Sequence, residues 1–273
     1  MIEQPYPDLE NLLEMVAEAG FRMAQIDACE GAAGNISVCL RWELDVQVLF
    51  PRIEKIELPQ PVPGLAGASM IVSGSGCRLR DIGDRPTANL VCLVVDEGGL
   101  TASQYTGPDS LIRKVTSEFN SHLAVHNDRI ISTGTNFHAL IHAQPPYLTY
   151  LSHIPRYQDK AYLNTHLLRW QPEMIVNLPE GLGCIPFLIP GSPDLMAATV
   201  AALRTHRVAL WGKHGVMARS DLSVKRASDR IEYAEAGARY EYMNLANGEM
   251  GEGLSAEEVR AICAAFGVKQ SVY

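Results

Sequence analysis

The run Phe137-His138-Ala139-Leu140-Ile141-His142, followed by Ala143-Gln144-Pro145-Pro146-Tyr147, constrains this chain most. Its apolar residues predict a strand over 137–142, with a helical stretch from Pro145. Residues two apart in a strand project from one face, with Cα atoms roughly 6.5–7 Å apart. His142 and Gln144 therefore converge on one object. The first can bind a divalent metal strongly; the second offers only a neutral amide oxygen.

Other runs place this strand in company. Residues 36–40 and 48–50 read as short strands, and Met70-Ile71-Val72 runs into a Gly-Ser turn. Residues 90–96 and 100–105 flank Glu97-Gly98-Gly99, a hairpin signal, and 173–178, 185–189 and 207–211 read as further strands. Asp8 is an N-cap for a helix whose Leu9, Leu12, Leu13, Val16, Met23 and Ile26 share one face. Helices are also expected over 116–127, from Ser192-Pro193-Asp194 to about His206, over 221–247, and after the capping box of Ser255 and Glu258. The pattern is α/β, a mixed strand set layered with helices. The Pro- and Gly-rich stretch 51–69 reads as an excursion, so 1–273 is expected to be a single domain.

With 273 residues, 47% hydrophobic and 20% charged, the chain is expected to be globular with a sizeable core. Its net charge of -8 argues against non-specific binding to nucleic acid or an anionic membrane. A phosphorylated small molecule remains compatible, because anion sites are built locally from backbone N–H groups. No apolar run reaches the ~18–20 residues that span a bilayer, and the first residues do not read as a secretory leader. Six cysteines without Cys-x-x-Cys pairing read as reduced thiols of a cytoplasmic protein.

Several residues are candidates for chemistry. Gly34-Asn35-Ile36-Ser37 and Ser73-Gly74-Ser75-Gly76 sit where strands meet turns, as phosphate cradles do and as plain tight turns also do. Glu118, after Thr116-Ser117, is either a charge at a helix start or a general base, the latter useful beside a metal or cation. His142, and His214 in Trp211-Gly212-Lys213-His214-Gly215, are the metal candidates. His138 would lie ~13 Å along the strand from His142, a poor co-ligand. His122, His126, His153, His166 and His206 fall on helical stretches and read as surface or packing residues.

Taken in order, six short motifs resemble the class II aldolase/adducin family over nearly the whole chain. They are Gly34-Asn35-Ile36-Ser37, Ile71-Val72-Ser73-Gly74-Ser75-Gly76, and Thr116-Ser117-Glu118 with His122 following. The others are the segments 141–150, Glu173-Met174-Ile175-Val176 through Pro190-Gly191, and 210–216. The resemblance implies a three-layer fold, a central, mainly antiparallel sheet with helices on both faces, assembled as a C4 homotetramer with sites near subunit interfaces. It also implies Zn2+ held by three histidines, two from a His-x-His strand and one from a later His-Gly turn. His142 matches the first ligand and His214 the third. Asn35, Ser75 and Gly76 match phosphate-cradle positions, and Ser117 a substrate contact. Glu118 matches the catalytic acid/base and Glu173 a second active-site carboxylate.

The implied activity is metal-dependent cleavage of a ketose 1-phosphate to dihydroxyacetone phosphate and an aldehyde. Two positions depart from the pattern. Gln144 stands where the second zinc-binding histidine is expected, and Ala32 replaces an asparagine of the substrate loop. An amide oxygen is a poor zinc ligand, so Glu118 or Glu173 would have to compensate, or a harder ion such as Mn2+ or Mg2+ replace zinc. Two other readings follow: a sugar-phosphate epimerase or dehydratase of the same fold, or a non-catalytic adducin-like binding protein with a degraded metal site.

Overall fold

The computed structural model describes residues 1–110, 112–248 and 250–273. Its first half runs α1 (Leu9–Gln25), β1 (Asn35–Leu40), β2 (Arg52–Glu57), β3 (Ser69–Ser73), α2 (Pro86–Asn89), β4 (Leu90–Val95), β5 (Thr101–Thr106) and α3 (Phe119–Thr133). There follow β6 (Phe137–Ala143), α4 (Pro146–Leu151), α5 (Lys160–Leu168), α6 (Pro172–Asn177), β7 (Gly183–Ile185) and α7 (Pro193–Thr205). The chain closes with β8 (Val208–Trp211), β9 (Gly215–Ser220), α8 (Val224–Asn247) and α9 (Ala256–Phe266). The strands form one sheet in the order β2-β5-β4-β3-β1-β6-β9-β8-β7. Neighbours are antiparallel except β7 and β8, which run parallel.

The central strands β1 and β6 are buried along their whole length, and alternation divides their side chains between two faces. Ile36, Val38 and Leu40 join Phe137, Ala139 and Ile141 in a core with Leu12 and Val16 of α1 and Ile231 and Ala234 of α8. Burying each of the larger side chains contributes about 1.5–3 kcal/mol, which holds these helices to that face. On the other face Cys39 packs near Phe119, Leu123 and Ile130 of α3, and Leu140 near Leu195 and Leu203 of α7. Helices thus cover both faces of a mainly antiparallel sheet, as the family resemblance implies. Register aligns Asn35 with His142, Ser37 with Leu140 and Cys39 with His138, so these residues share the α3 face. No helix of the described residues is long and apolar enough to cross a membrane.

Local signals were reliable where a cap or a turn fixed them. Asp8 caps α1, Ser192 caps α7 with Pro193 in its first turn, Ser255 and Glu258 form their capping box, and β4–β5 is the expected hairpin. Three strand expectations need correction. Residues 48–50 form a turn, closed by the Phe50 N–H on the Val46 carbonyl, and the strand lies after them at Arg52–Glu57. That strand is an exposed sheet edge, where charges block pairing with other chains and erase the apolar signal. Residues 173–177 belong to α6 and Leu178 caps it, because Pro172 suits a first helical turn and Met174, Ile175 and Leu178 are buried together. Of 185–189 only Ile185 is strand, since Pro186 has no N–H to continue the ladder. The helix expected over 116–127 starts later, at Phe119.

Candidate metal centre

Two strand ends and one helix start meet on the α3 face. His142 comes from the end of β6, His214 from the β8–β9 turn, and Glu118 immediately precedes α3. The Glu118 carboxylate lies between the rings, Oε2 at 3.5 Å from His142 Nε2 and Oε1 at 3.5 Å from His214 Nε2. One ligand atom from each of the three residues lies within 4.8 Å of the others. Glu118 occupies the N-cap position of α3, yet its side chain makes no capping hydrogen bond. The helix-charge reading therefore gives way: the carboxylate turns inward to the histidines.

Each ring is held for the purpose. His142 Nδ1 lies 2.8 Å from the Val216 carbonyl oxygen, which can only accept, so Nδ1 carries the proton and Nε2 presents a lone pair. The ring stacks on Trp211 at 4.6 Å between centroids. His214 follows Lys213, whose φ of 61° is left-handed, and the turn is tied by the Lys213 N–H to Ser152 Oγ at 2.7 Å. His214 Nδ1 is buried without a hydrogen-bond partner among the described residues. Gly215 lets this turn approach β6: a Cβ there would collide with the Ala143 carbonyl and sit 3.2 Å from His142 Cε1.

Electrostatics favour an anionic carboxylate. Burial works to raise the Glu118 pKa, but His142, the Asn35 hydrogen bond and His214 together hold it below the ordinary carboxylate value. Burial and the neighbouring His142 lower the His214 imidazole, leaving it neutral and able to ligate. Two imidazole nitrogens and a carboxylate are a donor set suited to a divalent ion, with positions left open for substrate. Gln144 stands beside this set. Its Cγ lies 3.1 Å from the site of a Gly215 Cβ, and its N–H donates to the Ala28 carbonyl at 2.7 Å.

The remaining sequence candidates divide. Asn35 Nδ2 donates to Glu118 Oε2 at 2.9 Å, leaving its second amide hydrogen for another acceptor. The Ser73–Ser75 segment runs beside 114–116, joined by the Thr116 N–H to Ser73 O and the Ser75 N–H to Lys114 O. Exposed Ser75 and Gly76 line a cleft of about 390 Å³ with Arg85 and Asn89. Ser117 lines a different one of about 600 Å³, with Arg113, Lys114 and Asn120. Glu173 does not join the centre. It is exposed on α6, whose Met174 and Ile175 belong to the core of the opposite sheet face.

The sequence profile of the Class II Aldolase and Adducin N-terminal domain family matches residues 14–242. The chain belongs to the class II aldolase/adducin family. A rhamnulose-1-phosphate aldolase of Bacteroides thetaiotaomicron is 30% identical over 266 residues, covering 95% of this chain and 96% of the relative. A rhamnulose-1-phosphate aldolase of Yersinia pseudotuberculosis is 31% identical over 246 residues, 88% of this chain and 87% of its own. Among solved structures, a sugar-phosphate aldolase from Thermotoga maritima superposes with a TM-score of 0.74 at 24% identity, covering 90% of this chain and 99% of that one. An L-fuculose-1-phosphate aldolase from Thermus thermophilus gives 0.55 at 19% identity, covering 89% and 98%. Class II aldolases depend on a metal, and the Glu118, His142 and His214 cluster of this family member is a possible site for one.

Of the two expectations for His122 and His126, surface or packing, the structure shows packing: both are fully buried and hydrogen-bonded behind Glu118. The signal was available. They sit four apart on the helical side that carries Phe119, Leu123 and Ile130, so burial of two polar rings was legible in the spacing. A buried ring needs partners, and those come from β1.

Proposed function

We propose that this protein is a metal-dependent aldehyde-lyase. It cleaves a ketose 1-phosphate such as L-rhamnulose 1-phosphate, between C3 and C4, into dihydroxyacetone phosphate and an aldehyde. The observation that carries this reading is the Glu118 carboxylate set 3.5 Å from both His142 Nε2 and His214 Nε2 in a buried centre. His142 and His214 would hold the ion with Glu118, and Gln144 is the neutral neighbour that could add a weak oxygen ligand. A bound divalent ion, Zn2+ or a harder substitute, supplies Lewis-acid stabilisation of the negative charge that the ketose oxygens gain on cleavage.

The residues of the chain supply the rest. Glu118, held anionic, removes a C3 proton from dihydroxyacetone phosphate in the condensing direction and returns it in cleavage. The proton given up by the C4 hydroxyl balances the one delivered to C3. Ser75 and Ser117 offer hydroxyls, and Gly76 a backbone N–H, to the phosphate and substrate oxygens from two clefts, and Asn35 offers its free amide hydrogen at Glu118. The net charge of -8 leaves phosphate recognition to these local donors. Glu173 lies outside the centre of its own chain, so its part as a second carboxylate depends on the homotetramer that the family resemblance implies.

Gln144 and Ala32 favour the second reading, a non-catalytic binding protein that keeps the fold. The test is aldol cleavage of ketose 1-phosphates by the metal-loaded protein, with dihydroxyacetone phosphate as the measured product. Release above the rate of a Glu118→Ala variant supports the lyase; equal rates support the binding protein.

A further inference from the structure

Behind Glu118 a line of buried polar side chains runs between β1, α3 and β6. Asn35 Nδ2 donates to Glu118, and Asn35 Oδ1 faces His122 Nε2. Ser37 Oγ lies 2.6 Å from His122 Nδ1 and 2.7 Å from His126 Nε2. His126 Nδ1 lies 2.8 Å from His138 Nδ1. At the far end His138 Nε2 is buried without a hydrogen-bond partner among the described residues. Ser37 and all three rings are fully buried.

We propose that Ser37, His122, His126 and His138 are positioning residues, a one-way hydrogen-bonded column that locks Asn35 and, through it, the Glu118 carboxylate in one orientation. The proposal rests on the reading of Glu118 as acid/base and ligand.

The direction follows from the carboxylate end. Glu118 only accepts, so the Asn35 amide nitrogen must face it and the Asn35 oxygen must face His122. His122 Nε2 therefore carries a proton. A neutral imidazole has one N–H, so His122 Nδ1 is bare and accepts from the Ser37 hydroxyl. Ser37 has then used its only proton and accepts from His126 Nε2–H. His126 Nδ1 is in turn bare and accepts from His138 Nδ1–H. The last nitrogen, His138 Nε2, is left as a lone pair, and it is the atom found unpartnered. The rings stay neutral: all three are fully buried, and burial, with the neighbouring rings for His126 and with Arg219 and Arg129 for His138, pushes those two well below the usual range.

A reversed column fails at its first link. It would leave His122 Nε2 bare to accept from the Asn35 NH2, but would turn the Asn35 oxygen against the Glu118 carboxylate, two acceptors with no proton between them. Asn side chains flip readily because the two forms are isosteric, so only their partners decide between them. Here the deciding partners reach back through α3 to β6 and hold a donor on Glu118 before substrate arrives.

Imidazole 15N spectra of the histidine-labelled protein read the protonated nitrogen of each ring without an activity assay. At neutral pH the expected forms are Nε2–H for His122 and His126 and Nδ1–H for His138. An Nδ1–H form of His122, or a charged His126 or His138, overturns the column. In variants, Ser37→Ala removes the central link and Ser37→Thr keeps the hydroxyl. Ser37→Ala is expected to weaken Co2+ affinity and lower kcat by about 10- to 100-fold with KM unchanged, as lost outer-shell contacts do. Ser37→Thr restores both. Wild-type affinity and kcat in a folded Ser37→Ala overturn the positioning role. If the parent binds Co2+ but cleaves no sugar phosphate, the lyase reading fails alone, and the spectra with the Co2+ affinities still decide the column. If Ser37→Ala does not fold, the spectra of the parent decide it.

Discussion

The 2.8 Å contact between His142 Nδ1 and the Val216 carbonyl determines which ring nitrogen of His142 faces Glu118. It joins the strand that carries one histidine to the strand that follows the other. The centre is thus a product of sheet register, with Asn35 opposite His142 on one side and Met217 opposite it on the other.

Glu118→Gln is expected to lower kcat for retro-aldol cleavage by about 10²- to 10⁴-fold, the range for a positioned acid/base. Folding should survive, because Glu118 makes no helix-capping bond. Steady-state kinetics beside circular dichroism checks this; unchanged turnover removes Glu118 from the chemistry.

Gly215→Ala should disturb the centre without touching a ligand. The added Cβ meets the Ala143 carbonyl, Gln144 Cγ and His142 Cε1, so the turn carrying His214 must shift. Overpacking of this kind costs about 1–3 kcal/mol. The expected result is a lower Tm together with reduced metal content, read by thermal melts and elemental analysis. Full metal content in a stable variant would mean that the turn has slack.

These contacts mark the boundary of what the sequence disclosed. Strand 137–142 was legible because its whole length is apolar or buried, and the α7 and α9 starts because capping is local. The α6 helix was hidden because six residues rich in Met, Ile and Val carry either period equally well. The metal candidates His142 and His214 were legible as strand-end histidines. Glu118 as a third ligand was only one way to make good Gln144, because its approach depends on how α3 sits on the sheet. The column behind it needed Ser37 from β1, a long-range pairing no local pattern encodes.

Phosphate recognition should appear as ligand-induced stabilisation. Dihydroxyacetone phosphate at about 100 times its Kd would add roughly 2.7 kcal/mol to folding, a clear rise in Tm. Dihydroxyacetone without phosphate should give none. A Ser75→Ala, Ser117→Ala double variant should lose most of the shift. Equal shifts for the two ligands would remove the cradle.

Glu235 provides a pH test. It accepts from the Tyr147 and Leu148 N–H groups at the start of α4, and burial raises its pKa to about 7 against those bonds and Arg239. Between the ordinary value of 4.5 and about 7 the folded chain holds a proton that the unfolded chain has released. Stability from this group is therefore fully present below 4.5 and is lost as pH rises through about 7, by roughly 3 kcal/mol in all. Chemical denaturation at pH values across this window should show the decline, and Glu235→Gln should flatten that part of it. An identical decline in Glu235→Gln would assign it to other groups.

The most direct measurement is the divalent metal content of the purified protein, taken beside His142→Ala and Gln144→His. A working centre of Glu118, His142 and His214 should hold near-stoichiometric metal in the unaltered protein, lose it in His142→Ala and keep it in Gln144→His. An empty unaltered protein whose Gln144→His variant fills would contradict it: the scaffold would stand, but its natural chemistry would not be metal-dependent cleavage.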